Sequence, residues 1–508
     1  MKADSPRRSA APPGPTGTPQ AASNTGTGGG SGSGSGARPT PPSSAGGVRL
    51  EHDLLGERPV PADALYGIQT LRALENFPIS GVALSEFPTL ISALASVKEA
   101  AALANEELGL LPSPVAKAIV GAAQTLRAGH HHRHFPVDMI QGGAGTSTNM
   151  NANEVIANLA LESLGEPRGR YEVVHPNNHV NLSQSTNDVY PTAIKLALHA
   201  SITELQHAMG ALAGAFLVKG EEFRPFIKMG RTQLQDAVPM TLGQEFTAFA
   251  HTILEDVDRL GEAQTLIREI NMGATAIGTG INAPHGYAEA VRTHLARITG
   301  LPLVTAPDLV EATADTGVFV QLSGVLKRCA VKLSKICNDL RLLASGPRAG
   351  LGEINLPAMQ PGSSIMPGKV NPVIPEVVNQ VCFDVIGGDV TVTMAAEAGQ
   401  LQLNVFEPII AYRLLRSLIT LTRACTVLRE RCVDGITANE DRMRHFVEHS
   451  IGIVTALVPV IGYEASTDIA RTALQTGRGV FELVLERGLM TRDALNKVLD
   501  PEAMTGTS

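Results

Sequence analysis

The run Gly362–Pro372, GSSIMPGKVNP, brings together two hydroxyls (Ser363, Ser364), one cation (Lys369) and one amide (Asn371). Gly362, Pro367, Gly368 and Pro372 punctuate it, which fits a shaped loop and not the interior of a helix or strand. Lys369 and Asn371 offer donors suited to a substrate carboxylate. A hydroxyl beside them could act on a proton of the bound molecule. Loops that carry chemistry combine special backbone residues with convergent polar groups, and this run has both.

Three further segments are dense in small polar residues. Gly142–Glu154, GGAGTSTNMNANE, supplies Thr146, Ser147, Thr148 and Asn149 behind glycines that allow close backbone approach to a ligand. It lacks the Lys-Ser/Thr ending of a P-loop and the spacing of a dinucleotide fingerprint. Ser183–Pro191, SQSTNDVYP, places Ser185, Thr186 and Asn187 just before a helical pattern. Gly230–Pro239, GRTQLQDAVP, places Thr232 and Gln233 ahead of another. Ser, Thr and Asn are good helix caps, so capping is an equally direct reading of the first two segments. Helix N-termini also collect anions, so three such starts plus the Gly362–Pro372 loop suit a dicarboxylate.

Long helices must position these segments. Leu198, Ile202, Leu205, Met209, Leu212 and Phe216 step as a heptad seam. Phe246, Phe249, Ile253, Val257, Leu260, Ala263, Ile267 and Ile270 repeat the pattern, as do Leu322, Cys329, Leu333, Ile336, Leu340 and Leu343. Each seam implies a rod of roughly 30–45 Å. Such rods form a bundle whose outer faces stay apolar, which favours oligomerisation.

Composition sets the outer limits. A chain of 508 residues is too long for one core. A net charge of −8 offers no basic field for nucleic acid, and no apolar run approaches the roughly 18 residues that span a bilayer. Trp is absent and aromatics are 4%, so packing is expected to rest on aliphatic residues. The cysteines (Cys329, Cys337, Cys382, Cys425, Cys432) form no CxxC pair and read as buried small hydrophobes in a reducing cytoplasm. Residues 1–47 hold no Val, Ile, Leu, Phe, Tyr or Trp and carry a Gly/Ser run, so they are expected to be a disordered tail. No apolar stretch follows Arg7-Arg8, so the tail is not expected to be an export signal.

The Gly362–Pro372 loop resembles the signature of the fumarase/aspartase lyase superfamily. Its flanks, GEINLPAMQ from Gly352 and VIPEVVNQV from Val373, look like the aspartate ammonia-lyases and less like class II fumarases. The resemblance runs from about Leu50 onward. It implies a mainly α, three-domain fold: an N-terminal domain over 48–190, a central bundle over 191–401 and a small C-terminal domain over 402–508. Four chains would pack into a twenty-helix core, with each active site shared between subunits of a homotetramer. Carried over position by position, Thr146, Ser147, Thr186 and Ser364 would hold the β-carboxylate of L-aspartate. Thr232, Lys369 and Asn371 would hold the α-carboxylate, Asn187 the amino group, with Ser185 and Gln233 in the same shell. Ser363 would be the base, with Lys369 assisting it.

The implied reaction converts L-aspartate to fumarate and ammonium, with no cofactor, while an activating divalent cation such as Mg stays open. Fumarases have His where this chain has Gln233. Ammonia leaves from an ammonium that is already protonated, whereas hydroxide needs an acid, so an amide is tolerable for the first reaction and unsuited to the second. Glu376, which pairs with that His in fumarases, would face Gln233. Class II fumarate hydratase is the rival enzyme, and a silent crystallin-like scaffold the rival outside enzymes. The cluster His130, His131, His132 and His134 reads as a solvated loop, Arg72 as a surface charge, and Gly273–Gly280 as a tight turn between helices.

Overall fold

A computed structural model describes residues 47–500 and Met504. The expected tail, apart from Gly47, lies outside the described residues. The described chain is mainly helical. It opens with the hairpin β1 (Val48–Asp53) and β2 (Gly56–Pro61), followed by α1 (Ile68–Asn76), α2 (Pro88–Glu107), α3 (Ser113–Arg127) and α4 (Thr146–Ser163).

The long helices come next. α5 (Thr186–Glu222) leads through the antiparallel hairpin β3 (Ile227–Thr232) and β4 (Gln235–Thr241) into α6 (Leu242–Leu266). A short parallel pair, β5 (Glu269–Ile270) and β6 (Val304–Thr305), brackets α7 (Tyr287–Thr299). α8 (Leu309–Ala314) and α9 (Gly317–Leu343) follow, then β7 (Ile354–Asn355), α10 (Val373–Glu397) and α11 (Glu407–Arg431). β8 (Thr437–Ala438) pairs with β7, and α12 (Glu440–His449), α13 (Val454–Ile461), α14 (Tyr463–Thr476), α15 (Val480–Glu486) and α16 (Arg492–Val498) complete the described chain.

The three seams are the inner faces of α5, α6 and α9, with all but Val257 of their seam residues buried, except that the second overruns its helix: α6 ends at Leu266, and Ile267 and Ile270 lie beyond it, Ile270 in a short strand. With α10 and α11 these helices close a five-membered ring in the order α5, α6, α9, α10, α11 and back to α5. Packing is mostly aliphatic as expected, with one exception. Phe216 and Phe223 of the α5 end meet Phe246 and Phe249 of α6, with ring centroids 5.0 Å apart for Phe223–Phe246 and 5.6 Å for Phe216–Phe249. All five cysteines are buried and free.

Of the expected edges, 191 falls inside α5 and 402 between α10 and α11. α5 has 37 residues, about 55 Å, longer than its seam because it runs unbroken through Pro191. Proline has no N–H to give the carbonyl one turn back. Here the Asn187 carbonyl accepts instead from Asn271 Nδ2 at 3.0 Å, so the helix continues. At the other edge, α11 packs on α5 and α10 and is part of the ring. A separate small core gathers later, where Val447, Ile453, Leu457, Ile469, Val480, Leu483 and Leu495 enclose Met229 of β3. Outside the ring, α10 exposes Val377, Phe383, Val390 and Met394.

Candidate active site

The Gly142–Glu154 segment turns through three left-handed residues, Gly143 (φ 85°), Ala144 (φ 54°) and Gly145 (φ 88°), into the start of α4. A side chain on Gly145 would overlap Tyr190, its Cβ falling 2.2 Å from the ring, so glycine is required there. The turn leaves Thr146 exposed and Ser147 half-buried at the helix N-terminus. Thr146 Oγ1 donates back to the Gly143 carbonyl at 2.7 Å. Gln141 Oε1 accepts from the Thr148 N–H at 3.0 Å.

The second segment starts α5, and both readings of it apply. Ser185 is the cap: its hydroxyl accepts from the Asn187 N–H at 3.2 Å, while its own N–H donates to Asp188 Oδ1 at 3.0 Å. Thr186 Oγ1 accepts from Asn149 Nδ2 at 3.0 Å, which leaves its hydroxyl proton for another acceptor. That bond joins the first two segments. Asn187 Nδ2 donates to the Ala276 carbonyl at 2.7 Å, so the Gly273–Gly280 loop seats this side chain. The same loop donates the Gly273 and Thr275 N–H groups to Asp188. It is a connector between elements, and it also braces the α5 start.

Beneath these segments lies a charge that sequence patterning missed. Lys98 is fully buried, and its Nζ donates to Asn181 Oδ1 and Gln184 Oε1, both at 2.9 Å. Asn181 Oδ1 also accepts from Asn149 and Asn153. Burial pulls the Lys98 ammonium down to about 7, opposed by Asp188, and pushes Asp188 up to about 6 against its backbone donors. The segment around it, ISALASVKEAAALAN, carries Glu99 beside Lys98, so its pattern did not single the lysine out.

Thr232 and Gln233 do not precede a helix directly. They form the tip of the β3–β4 hairpin, where Thr232 pairs with Gln235 across a two-residue turn, and both are exposed. Gln233 (φ 54°) and Leu234 (φ 62°) both take the left-handed conformation that two-residue hairpins require. The sequence carries no Gly or Asn at these positions to announce it.

The signature loop is closed on itself. Gly362 N–H donates to the Lys369 carbonyl at 2.7 Å, and Asn371 Nδ2 donates to the Gly362 carbonyl at 2.8 Å, pinching the neck. A Cβ on Gly362 would fall 2.7 Å from both Asn371 N and the Lys369 carbonyl oxygen, so this glycine is also required. Inside the loop, Ser363 Oγ accepts from the N–H groups of Ile365 at 3.2 Å and Met366 at 3.0 Å. Ser364 and Lys369 are exposed. Among the described residues, no side-chain hydrogen bond joins this loop or the hairpin tip to the α4 and α5 starts, and Glu376 pairs with no cation.

Other singled-out residues have structural partners. Arg72 is not a free surface charge: it grips Asp53 with two bonds of 2.7 Å. His134 accepts from the Leu65 N–H and is lowered to about 4 by burial, and His132 Nε2 bonds the Leu126 carbonyl at 2.8 Å.

Comparison with known proteins settles the family. A lyase family profile matches residues 56–387, and a fumarase C C-terminal profile matches residues 453–506. The aspartate ammonia-lyase of Pseudomonas aeruginosa is 62% identical over 463 residues, 91% of this chain and 98% of that protein. The aspartate ammonia-lyase of Escherichia coli K12 is 54% identical, over 89% of this chain and 95% of its own. The chain belongs to the aspartate ammonia-lyase family of the fumarase/aspartase superfamily. It is a carbon–nitrogen lyase by that membership. Among solved structures, the fumarate lyase:delta crystallin of Brucella melitensis bound to cobalt superposes with a TM-score of 0.88 at 60% identity, over 89% of this chain and 98% of its own. A class II fumarase from Schistosoma mansoni gives 0.85 at 36% identity, over 90% and 99%.

Proposed function

We propose that the protein eliminates ammonium from L-aspartate to give fumarate, reversibly, with Ser363 as base. The observation that carries the mechanism is the pair of backbone N–H groups, Ile365 and Met366, aimed at Ser363 Oγ. A hydroxyl is a weak base unless its oxyanion is stabilised in advance, and two fixed donors supply part of that. Ser363 takes the C3 proton. The electron pair moves onto the β-carboxylate and gives an enediolate carrying two negative charges. Thr146, Ser147, Thr186 and Ser364 hold that charge, and the Thr186 hydroxyl, polarised by Asn149, is oriented to donate. Thr232, Lys369 and Asn371 hold the α-carboxylate, with Ser185 and Gln233 beside them. Collapse of the enediolate breaks the C2–N bond, the nitrogen keeps the electron pair, and ammonia leaves past Asn187; the proton lost from C3 balances the one that turns it into ammonium. The leaving group is already protonated, so Gln233 is not asked to deliver a proton.

In this reading the working unit is a homotetramer, and the site is completed by segments from neighbouring subunits. Two observations support it: among the described residues no side-chain hydrogen bond joins the signature loop or the hairpin tip to the α4 and α5 starts of the same chain, and α10 turns Val377, Phe383, Val390 and Met394 outward. Five ring helices per chain also match the superfamily's twenty-helix core. Five buried free thiols support a cytoplasmic location. The chemistry draws on no cofactor.

The test is to incubate purified protein separately with L-aspartate and L-malate and follow fumarate by its ultraviolet absorbance, with and without Mg and a chelator. Fumarate from aspartate alone supports the proposal. Fumarate from malate alone makes the protein a hydratase, and none from either, by an intact tetramer, returns the case to a silent scaffold. A rise on adding Mg, lost on chelation, identifies an activating cation.

A further inference from the structure

An alternating chain of charges, Glu245–Lys228–Glu353–Arg231, lies under the β3–β4 hairpin. Glu353 is fully buried and takes both cations: Arg231 Nη1 lies 2.7 Å from Oε1, and Lys228 Nζ lies 3.0 Å from Oε2. Lys228, 2% exposed, also donates to Glu245 Oε2 at 2.5 Å. Two carboxylates balance two cations, which is what buried charges require.

The position of this chain gives it more than a packing role. Arg231 sits next to Thr232, at the base of the hairpin tip. Its guanidinium also lies over the Phe446 ring of α12 at 5.6 Å, and Arg442 covers the same ring at 4.5 Å. Glu353 is fixed through its backbone as well, its N–H donating to the Leu343 carbonyl at the α9 end and its carbonyl accepting from the Asn439 N–H. β7 begins at the next residue and leads into the segment that carries the signature loop. One buried carboxylate therefore ties the hairpin tip to the bundle end from which the signature loop departs.

We propose that Glu353 is a positioning residue that fixes the β3–β4 tip, and so Thr232 and Gln233, for the substrate α-carboxylate. This rests on the reading of the site given above. Glu353 touches no substrate and acts through Arg231. Two left-handed non-glycine residues at the tip persist only where their surroundings hold them; the ion pair at its base is one such hold, beside the bond from Ser450 Oγ to Asp236 Oδ2 at 2.9 Å.

The experiment uses the full chain and a double-mutant cycle of Glu353→Gln with Thr232→Ala. Glu353→Gln is expected to raise KM for L-aspartate about tenfold with kcat within about threefold, a loss of positioning and not of chemistry. In the Thr232→Ala background the same change is expected to add less than about twofold, because the residue it positions is gone. Hydrogen exchange of the Thr232–Gln235 amides is expected to accelerate about tenfold in Glu353→Gln. Arg231→Gln cuts the same link from its less deeply buried side, should reproduce both effects, and decides the matter where Glu353→Gln fails to fold. Equal KM penalties in both backgrounds, or unchanged exchange at the tip alongside a lower melting temperature, overturn the proposal and leave a purely structural ion chain. The exchange readout needs no turnover, so a wild-type protein inactive on L-aspartate refutes the parent reading separately.

Discussion

Replacing Ser363 by alanine tests the mechanism at its weakest joint, the use of a hydroxyl as base. Its Oγ receives two backbone N–H groups at 3.0 and 3.2 Å. Hydrogen bonds to a charged acceptor are worth about 1.5–3 kcal/mol each, so the pair stabilises the alkoxide by about 3–6 kcal/mol. An ammonium about 4 Å away in a site with an effective dielectric of about 20 adds about 4 kcal/mol, which is the part assigned to Lys369. Together these favour ionisation by about 10⁵–10⁷-fold, at about 1.4 kcal/mol per factor of ten. Ser363→Ala keeps both N–H groups, the loop neck at Gly362 and every proposed carboxylate donor, and removes only the base. General-base catalysis is typically worth about 10²–10⁴, so kcat is expected to fall by at least that lower figure while KM for L-aspartate moves less than about threefold. Solvent deuterium exchange at C3 of aspartate should fall with kcat. Lys369→Met should lower kcat by about 10³ through the lost Coulomb energy and also raise KM, since Lys369 is assigned to the α-carboxylate as well. A Ser363→Ala tetramer with kcat within tenfold of wild type would refute the assignment.

Three further outcomes follow from the same geometry. Thr186→Val removes a donor to the enediolate and the acceptor of the buried Asn149 amide, so kcat should fall about 10²–10³-fold and unfolding free energy by about 1 kcal/mol, read by turnover and denaturant titration. Glu407, fully buried at the start of α11, is pushed up to about 8 by burial against the attraction of Lys195. Its raised value means that its stabilising contribution is complete below about 4.5 and is lost as pH rises through about 8. The melting temperature of Glu407→Gln relative to wild type should therefore climb between pH 5 and 9, and a flat difference would show that Glu407 does not titrate in that window. Phe383→Asp places a charge on the outward face of α10, so light scattering should report dissociation and turnover should vanish with it; an active tetramer would move the interface elsewhere.

What the sequence disclosed, and what it hid, follows from the range of each interaction. The signature loop and the α4 and α5 starts were readable because their chemistry is local: glycines where no Cβ fits, and hydroxyls next to free helix N–H groups. The heptad seams were readable because burial repeats along a helix. The passage of α5 through Pro191 was hidden because the donor that replaces the missing proline N–H is Asn271, far along the chain. The β3–β4 hairpin was hidden because its left-handed turn is built from Gln233 and Leu234, without the glycine or asparagine such turns favour. Lys98 and Glu353 were hidden for a related reason. A charged residue reads as surface unless its partners are known, and those partners, Asn181 and Gln184 for one, Lys228 and Arg231 for the other, lie far away in sequence. The donors proposed to touch substrate are thus mostly local in sequence, while the groups that hold them in place are long-range. A reading from sequence alone accordingly identifies the donor set more readily than the scaffold that aims it.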